Sequence, residues 1–508
     1  MTDKYVMTLD EGTTSTRAVI FDKKGAIQGV GQHEFEQIYP NPGWVEHDPS
    51  EIWDAQMDSV EDALDDAGLE PDDLAAIGIT NQRQTTVPFD AETGNPVHNA
   101  IVWQDMRTTE MLEDLAEEHG EEIFKSKTGL VPDEHPTGTN IKWYLDNVEE
   151  INEQAQTGDT LLASIDTYLV FMLTDGEVYA TDPSNASRTM LYNIHELEWD
   201  NELLELLDIP EAILPEVKES SEIYGYTDEE VFGAEIPIAG VAADQHAALF
   251  GQACYEPGMV KNTYGTGNFM FMNTGTEPYE SEDLSATIAW GLNGETVYAL
   301  EGSIYSSGAS VQWLRDDLDI IDDESEVEEL AASIDTNEGI YFVPAFSGLN
   351  APYWNKNARG TLVGLSRGAG RAQLARAVLE SIAYYSQDIV EVMEDDADLE
   401  VEQIRVDGGA ANNDLLMDFQ ADVSRTEVVR PQTLETTALG AAYLAGLAVD
   451  YWEDQAEIEE LWQVDKLFEP TMDEQRRQAL YGGWREAVTR SLDWIDELRD
   501  VGFDIDDL

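Results

Sequence analysis

TLDEGTTSTRAVIFD, residues 8–22, sets an apolar run, an acid, a cluster of small hydroxylated residues and a second apolar run in series. Two apolar runs flanking a glycine-containing tip read as adjacent antiparallel strands and their turn. A hairpin turn needs a Gly or Asn for its backbone and little more. This one also carries Asp10, Thr13, Thr14, Ser15 and Thr16 around Gly12, with Arg17 just beyond. Such groups suit a metal-bound phosphate. Asp10 would hold water around Mg²⁺, backbone N–H groups of Gly12–Thr14 and the hydroxyls would cradle phosphate oxygens, and Arg17 would neutralise charge. Read alone, the same tip is equally a solvated turn whose hydroxyls satisfy nearby backbone groups.

Working outward, a third strand follows in IQGVGQHEFEQI, so the chain opens as a meander. A helix is predicted from Asp48 at the N-cap, with Pro49 at its first position and Glu51 at its third. LAAIGIT reads as a buried strand ending at Asn81–Gln82–Arg83–Gln84, and NAIVWQD as another; IPIAGVAAD is a buried strand running into the helix QHAALFG. Near Gly251–Gly258 the pattern restarts. GMVKNTYGTGNFMFMNTG is again strand, small-residue turn and strand, followed by a hairpin, a helix from SSGASVQWLRDDL, a long amphipathic helix, and alternating strands and helices to TALGAAYLAGLA. Two halves that open alike suggest an internal duplication with a cleft between them. The expected division is residues 1–252 and 253–508, mixed α/β in both.

The totals exclude whole classes. A chain of 508 residues exceeds what one core usually serves. Its 105 acidic against 27 basic residues give a formal net charge of −78, the wrong sign for nucleic acid or an anionic membrane. The acids dot the polar faces of predicted helices, as in VEDALDDAGLEPDDLAA, which is the pattern of a halophilic acidic surface kept folded by salt screening. Cys254 is the only cysteine, so no intrachain disulfide forms. No basic-then-apolar leader and no apolar run of membrane-spanning length appear, and a soluble cytoplasmic protein is expected.

YGTGN (264–268) is a second small-residue turn in the matching place of the second half. VDGGAANND (406–414) is a third, from strand into helix, which aims backbone N–H groups at a helix N-terminus. Each alone is an ordinary loop; two turns facing one cleft would form a phosphate clamp.

Those residues, with GITNQR, AIVWQ, DPSNASRTMLYNIH, DQHAALFGQ, KNTYGTG, YALEGSI, GASVQWLRD, VPAFSGLNAPYWN and ARGTLVGLSRG, carry a resemblance over essentially the whole chain. The sequence resembles the FGGY family of carbohydrate kinases, and within it the branch that phosphorylates glycerol. The resemblance implies an α/β fold of two actin-like ATPase (ribonuclease-H-like) domains flanking a catalytic cleft. It also implies ATP with Mg²⁺ as phosphoryl donor, a small polyol such as glycerol as acceptor, and a homo-oligomer. Matched position by position, Asp10, Thr13, Thr14, Ser15 and Arg17 correspond to the family's metal and phosphate turn. Thr266 belongs to the second turn, and Gly308, Gln312, Gly409 and Asn413 to the nucleotide side. Arg83, Gln84, Trp103, His135, Asp244, Gln245 and Phe269 correspond to the acceptor pocket, and Asp244 to the general base. Asp244 also reads as an N-cap of the helix after it, and Trp103 as an ordinary core tryptophan.

Three positions in or beside the pocket depart from the glycerol branch. Gln84 stands where an acid is usual, His135 where a tyrosine is, and His246 where a glutamine is. An amide donates and accepts where a carboxylate only accepts, and its bond to a hydroxyl is neutral, roughly half as strong as a charge-assisted one. A kinase for another small polyol or a ketose is therefore the alternative. A silent nucleotide-binding module is a further one.

Overall fold

The computed structural model describes residues 4–131 and 136–503. The opening stretch folds as its pattern predicts: β1 (Tyr5–Glu11), β2 (Ser15–Phe21) and β3 (Ile27–Glu34) form an antiparallel meander. Helix α1 (Pro49–Ala67) begins where expected, with the Asp48 carboxylate accepting from the Ser50 N–H at 2.9 Å. Glu51 does not close a capping box. Its carboxylate accepts instead from the Glu36 N–H at 3.2 Å, tying the helix start to the strand before it.

The free side of β1 pairs in parallel with β4 (Leu74–Asn81). Strands β5 (Ser221–Tyr226) and β6 (Pro237–Ala243) complete a six-stranded sheet in the order β5-β6-β4-β1-β2-β3. NAIVWQD forms only the two-residue strand Ala100–Ile101, in a separate four-stranded sheet. From β6 the chain turns directly into α2 (Asp244–Gly251).

The second half repeats the plan. β7 (Val260–Tyr264), β8 (Asn268–Gly275), β9 (Ser285–Leu292), β10 (Glu295–Ile304), β11 (Gln403–Asp407), β12 (Glu427–Pro431) and β13 (Val464–Phe468) form a sheet ordered β9-β10-β8-β7-β11-β12-β13. In each half the first strand lies between an antiparallel partner (β2 or β8) and a parallel one (β4 or β11), with a further parallel strand beyond (β6 or β12). The letters conceal one difference. β10 rather than β9 takes the place corresponding to β3, and β9 is an added edge strand whose Thr287 hydroxyl meets the Ser187 hydroxyl of the first half at 2.8 Å.

Four helices of the second half bear on the site: α3 (Gly308–Asp316), the long α4 (Arg371–Ala397), α5 (Asp414–Ser424) and α6 (Thr436–Ala448). TALGAAYLAGLA in α6 is small and apolar all round, the pattern of a helix buried on every side. It crosses the first sheet, where the Thr8 hydroxyl donates to the Ala438 carbonyl at 2.7 Å. It also presses on α2: a Cβ on Gly440 would stand 1.8 Å from the Ala247 carbonyl oxygen, so only glycine permits the crossing. A core cluster holding Val19 and Phe250 of one half with Phe271 and Trp452 of the other joins the two sheets. Helix α2, which carries Asp244, is thus clamped between halves. No helix among the described residues is long and apolar enough to cross a membrane.

Candidate active site at the ends of the parallel strands

In parallel sheets the cleft lies at the carboxyl ends of the strands, and the register here puts three such ends level. Glu11 pairs with Asn81, and Asn81 with Ala243. Asp10–Glu11, Gln82–Arg83 and Asp244 therefore leave neighbouring strands at one edge. Opposite them, Thr263 pairs with Asp407, so the turn after β7 and the turn after β11 also share an edge.

At the first edge Asp10 is buried and faces Arg17 across β1 and β2. Arg17 does not reach freely towards the cleft as the sequence suggests. It bonds the Asp10 carboxylate and, through its other terminal nitrogen, Glu435 at 2.7 Å. Burial raises the Asp10 carboxyl above its ordinary range; Arg17 opposes this, while Glu435 and Asp244 add repulsion. Glu11 is buried too, and burial pushes it well up; its Oε1 accepts from Gln82 at 3.0 Å while its Oε2 has no partner.

The turn itself is only partly open. The Gly12 N–H donates inward to the Ser15 carbonyl at 3.0 Å, because that bond closes the loop, so it does not join an outward cradle. The Thr13 hydroxyl accepts from the Trp103 indole N–H at 2.9 Å, and the Ser15 hydroxyl from Gln32 at 2.9 Å. Thr14 stands exposed at the tip. Trp103 is thus pinned to the phosphate-type turn, an arrangement a core tryptophan would not need.

Asp244 is the first residue of α2, one position inside the cap, so the N-cap reading is not what the structure shows. Its side chain is 32% exposed, while that of the Arg83 beside it is 8% exposed. The Arg83 Nε meets Asp244 Oδ1 at 3.1 Å, the Gln245 N–H donates to the same oxygen at 2.7 Å, and the Gln245 amide donates to Oδ2 at 3.1 Å. The carboxylate is oriented by its neighbours yet remains reachable. Phe269 and Phe271 place their rings 5.6 and 5.7 Å from the Arg83 guanidinium, walling it on the second-half side. Gln84 is buried and holds φ at 68°, a left-handed backbone uncommon outside glycine. Its carbonyl accepts from Thr86, Thr137 and Asn140, which stabilise that conformation. His246 lies behind the pocket, with Nε2 3.1 Å from Thr287 and its ring edge-on to Phe271; burial first, then Arg83, keeps it neutral. His135 lies outside the described residues.

At the second edge, Thr266 stands exposed on the turn after β7, and its carbonyl accepts from the N–H groups of Ser307 at 3.1 Å and Ala309 at 3.0 Å. Gly308 opens α3 against that turn: a Cβ there would lie 2.4 Å from the Gly265 carbonyl oxygen. Gln312 is half-buried one turn further on. Gly409 stands exposed in open space after β11. Asn413 caps α5, its amide oxygen accepting from the Leu416 N–H at 2.9 Å.

Two residues escaped sequence reasoning. Glu301 of β10 bonds Arg83 at 2.8 Å and pairs with Arg188 at 3.0 Å, from the other half of the chain. Burial disfavours its charge, but Arg188 and then Arg83 prevail and hold it down at about 2. Lys261 of β7 is buried and donates to the Gln245 amide oxygen. The available signal was a lone charge inside an apolar strand, YALEGSI and GMVKNTY, in a chain otherwise acidic on its surface.

The family model of the FGGY carbohydrate kinases' N-terminal domain matches residues 5–251, and that of their C-terminal domain residues 260–449. The chain belongs to the FGGY family of carbohydrate kinases. Among curated FGGY kinases it is 58% identical to Glycerol kinase 2 of Thermotoga maritima, over 97% of this chain and 99% of that one. It is also 58% identical to the glycerol kinase of Thermococcus kodakarensis, over 97% and 98%. Among solved structures it superposes on Plasmodium falciparum glycerol kinase with ADP at a TM-score of 0.91 and 34% identity, covering 96% of this chain and 98% of that one. The xylulose kinase of Lactobacillus acidophilus, at 22% identity and a TM-score of 0.83 over 98% of each chain, shares the fold. The two-domain actin-like α/β architecture that the family resemblance implies is the one observed.

Proposed function

We propose that this FGGY kinase transfers the γ-phosphoryl group of ATP to glycerol, giving sn-glycerol 3-phosphate, with Asp244 as general base. The observation that carries the reading is the Asp244 carboxylate: open to the cleft, gripped by Arg83 and Gln245, and level with Asp10 and Glu11. The relatives named glycerol kinase supply the acceptor. Residues 1–252 present the acceptor side and the first phosphate turn; residues 253–508 present the nucleotide side through Thr266, Gly308, Gln312 and Gly409.

Phosphoryl transfer to an alcohol is mainly positioning and charge neutralisation. Arg83 and Gln84 bind the acceptor's hydroxyls, with Trp103 and Phe269 against its carbons. Asp244 takes the proton of the attacking hydroxyl as its oxygen bonds to phosphorus and the bond to the ADP oxygen breaks. Thr13, Thr14, Ser15 and Thr266 meet the phosphates. The donor set at the first turn fits Mg²⁺ arriving with the nucleotide. Asp10 and Glu11 set two buried carboxyls side by side whose ionisation burial opposes; Arg17 bonds Asp10 and not Glu11, and Glu11 Oε2 lacks a partner, so an arriving cation would favour their ionised forms. When bound, that ion would neutralise phosphate charge, and Asp10 is the residue that would hold it.

Gln84 in place of an acid keeps a four- or five-carbon polyol as the second reading. With ATP, Mg²⁺ and a panel of glycerol, erythritol and ribulose, glycerol is expected to give the highest kcat/KM. Equal or faster turnover of erythritol or ribulose would transfer the assignment to the longer acceptor.

The surface supports a requirement for salt. Along α1 alone Glu51, Asp54, Asp58, Glu61, Asp62, Asp65 and Asp66 all face outward. Repulsion among such charges is screened within about 3 Å at 1 M salt but reaches about 10 Å at 0.1 M. Activity and tryptophan fluorescence followed across a KCl series should show a folded, active enzyme in molar salt and loss of both on dilution. A flat profile would remove the halophilic reading.

A further inference from the structure

Asp244 is oriented along two paths, each anchored in the second half. On one path Glu301 of the second half holds Arg83, which holds Oδ1 of Asp244. On the other, Lys261 of the second half donates to Gln245 Oε1, and Gln245 Nε2 donates to Asp244 Oδ2 at 3.1 Å. The ammonium is also fixed by the Thr263 hydroxyl at 3.1 Å and by the Phe271 ring, 4.8 Å away.

The chemistry of these groups gives the second path a direction. An ammonium donates and never accepts, so it takes only the oxygen of an amide. With that oxygen engaged, the NH₂ of Gln245 must face the carboxylate. If Lys261 is removed, the amide still presents its NH₂ to the acceptor-only carboxylate, but its oxygen is no longer anchored, so the side chain can swing and Oδ2 of Asp244 is no longer held at one angle. Lys261 is the residue of the second half that reads whether Gln245, on α2 of the first half, is in place.

We propose that Lys261 is a positioning residue for the phosphoryl-transfer step, acting across the halves by locking the Gln245 amide so that Asp244 points at the acceptor hydroxyl. This rests on the reading of Asp244 as the base. The ionic surroundings agree: burial brings the Lys261 ammonium down to about 8, with Asp407 and Asp244 supporting its charge, so it remains a donor at neutral pH.

The test is a double-mutant cycle on the full-length enzyme in molar KCl, with Lys261→Met, Gln245→Leu and the pair, alongside Asp244→Asn. Met keeps the stem length and apolar packing; melting curves verify folding. Misplacement of a reacting group costs on the order of 10²-fold, so Lys261→Met is expected to lower kcat by about 30- to 100-fold while the KM for ATP stays within about twofold. In the Gln245→Leu background the same change should cost less than about threefold more, because the intermediary is already gone. Should Lys261→Met fail to fold, Gln245→Leu with Lys261 intact must still lose kcat to a similar extent. Full kcat in Lys261→Met, independent multiplication of the two losses, or full kcat in Gln245→Leu each overturns the proposal. If Asp244→Asn retains turnover, the base assignment falls and this proposal with it. If Asp244→Asn is inactive and Lys261→Met is not, only the lysine's role falls.

Discussion

Replacing Asp244 by Asn should lower kcat for glycerol by about 10²- to 10⁴-fold, the range spanned by positioned general bases. The substitution keeps the shape of the side chain and an oxygen for the Arg83 Nε, which now sits 3.1 Å from Oδ1. It removes the site for the acceptor's proton. Because Thr266, Gly308 and Gly409, the residues proposed to meet the nucleotide, belong to the other sheet edge, ATP binding measured by calorimetry should be nearly unchanged. The split between lost turnover and retained ATP affinity is the diagnostic. A variant with kcat within about threefold of the parent would mean that the proton goes elsewhere.

The second large effect is expected at Glu301, which lies in the motif YALEGSI but to which the sequence assigns no role. Its carboxylate is shared by Arg83 and Arg188, all three side chains being at most 10% exposed. Glu301→Gln would leave two buried guanidiniums facing a neutral amide. Breaking a buried pair from one side costs about 3–5 kcal/mol, so the urea midpoint should fall clearly. Arg83, drawn towards Asp244 alone, should also bind the acceptor less well, raising the KM for glycerol by about tenfold or more. The pH dependence has a defined sign. The folded-state value near 2 lies below the ordinary 4.5, so the pair's contribution is complete above pH 4.5 and is lost as pH falls towards 2. An unchanged midpoint and KM in the variant would show that Arg188 and Arg83 are held by other means.

Much of the frame was legible because it is written in local terms. Residues 8–22 announce a hairpin by apolar runs and a glycine, and Asp48–Pro49 announce a helix by cap chemistry; both stand where expected. The repeat at residue 260 was legible for the same reason, since a strand, a small-residue turn and a strand recur there. The family resemblance then placed Asp10, Arg83 and Asp244 at one cleft, and the register of β1, β4 and β6 brings the three to the same end of one sheet. Less legible were commitments made by bonding. Nothing in the letters says that the Gly12 N–H closes its own turn, that Arg17 is divided between Asp10 and Glu435, or that Asn413 spends its oxygen on a cap.

Period, turn chemistry and charge count thus decide from the chain alone that there are two mixed α/β halves, each opening with a hairpin tipped by small residues, and an intensely acidic composition. Those properties depend on near neighbours in sequence or on totals, so no folding is needed to read them. The grip on Asp244 belongs to the tertiary structure alone. Arg83 and Glu301 are separated by 218 positions, and Gln245 and Lys261 stand on different halves. Only the closure of one sheet edge on the other makes a lone acid and a lone lysine, each in an apolar strand, the anchors of the two bonding paths to Asp244.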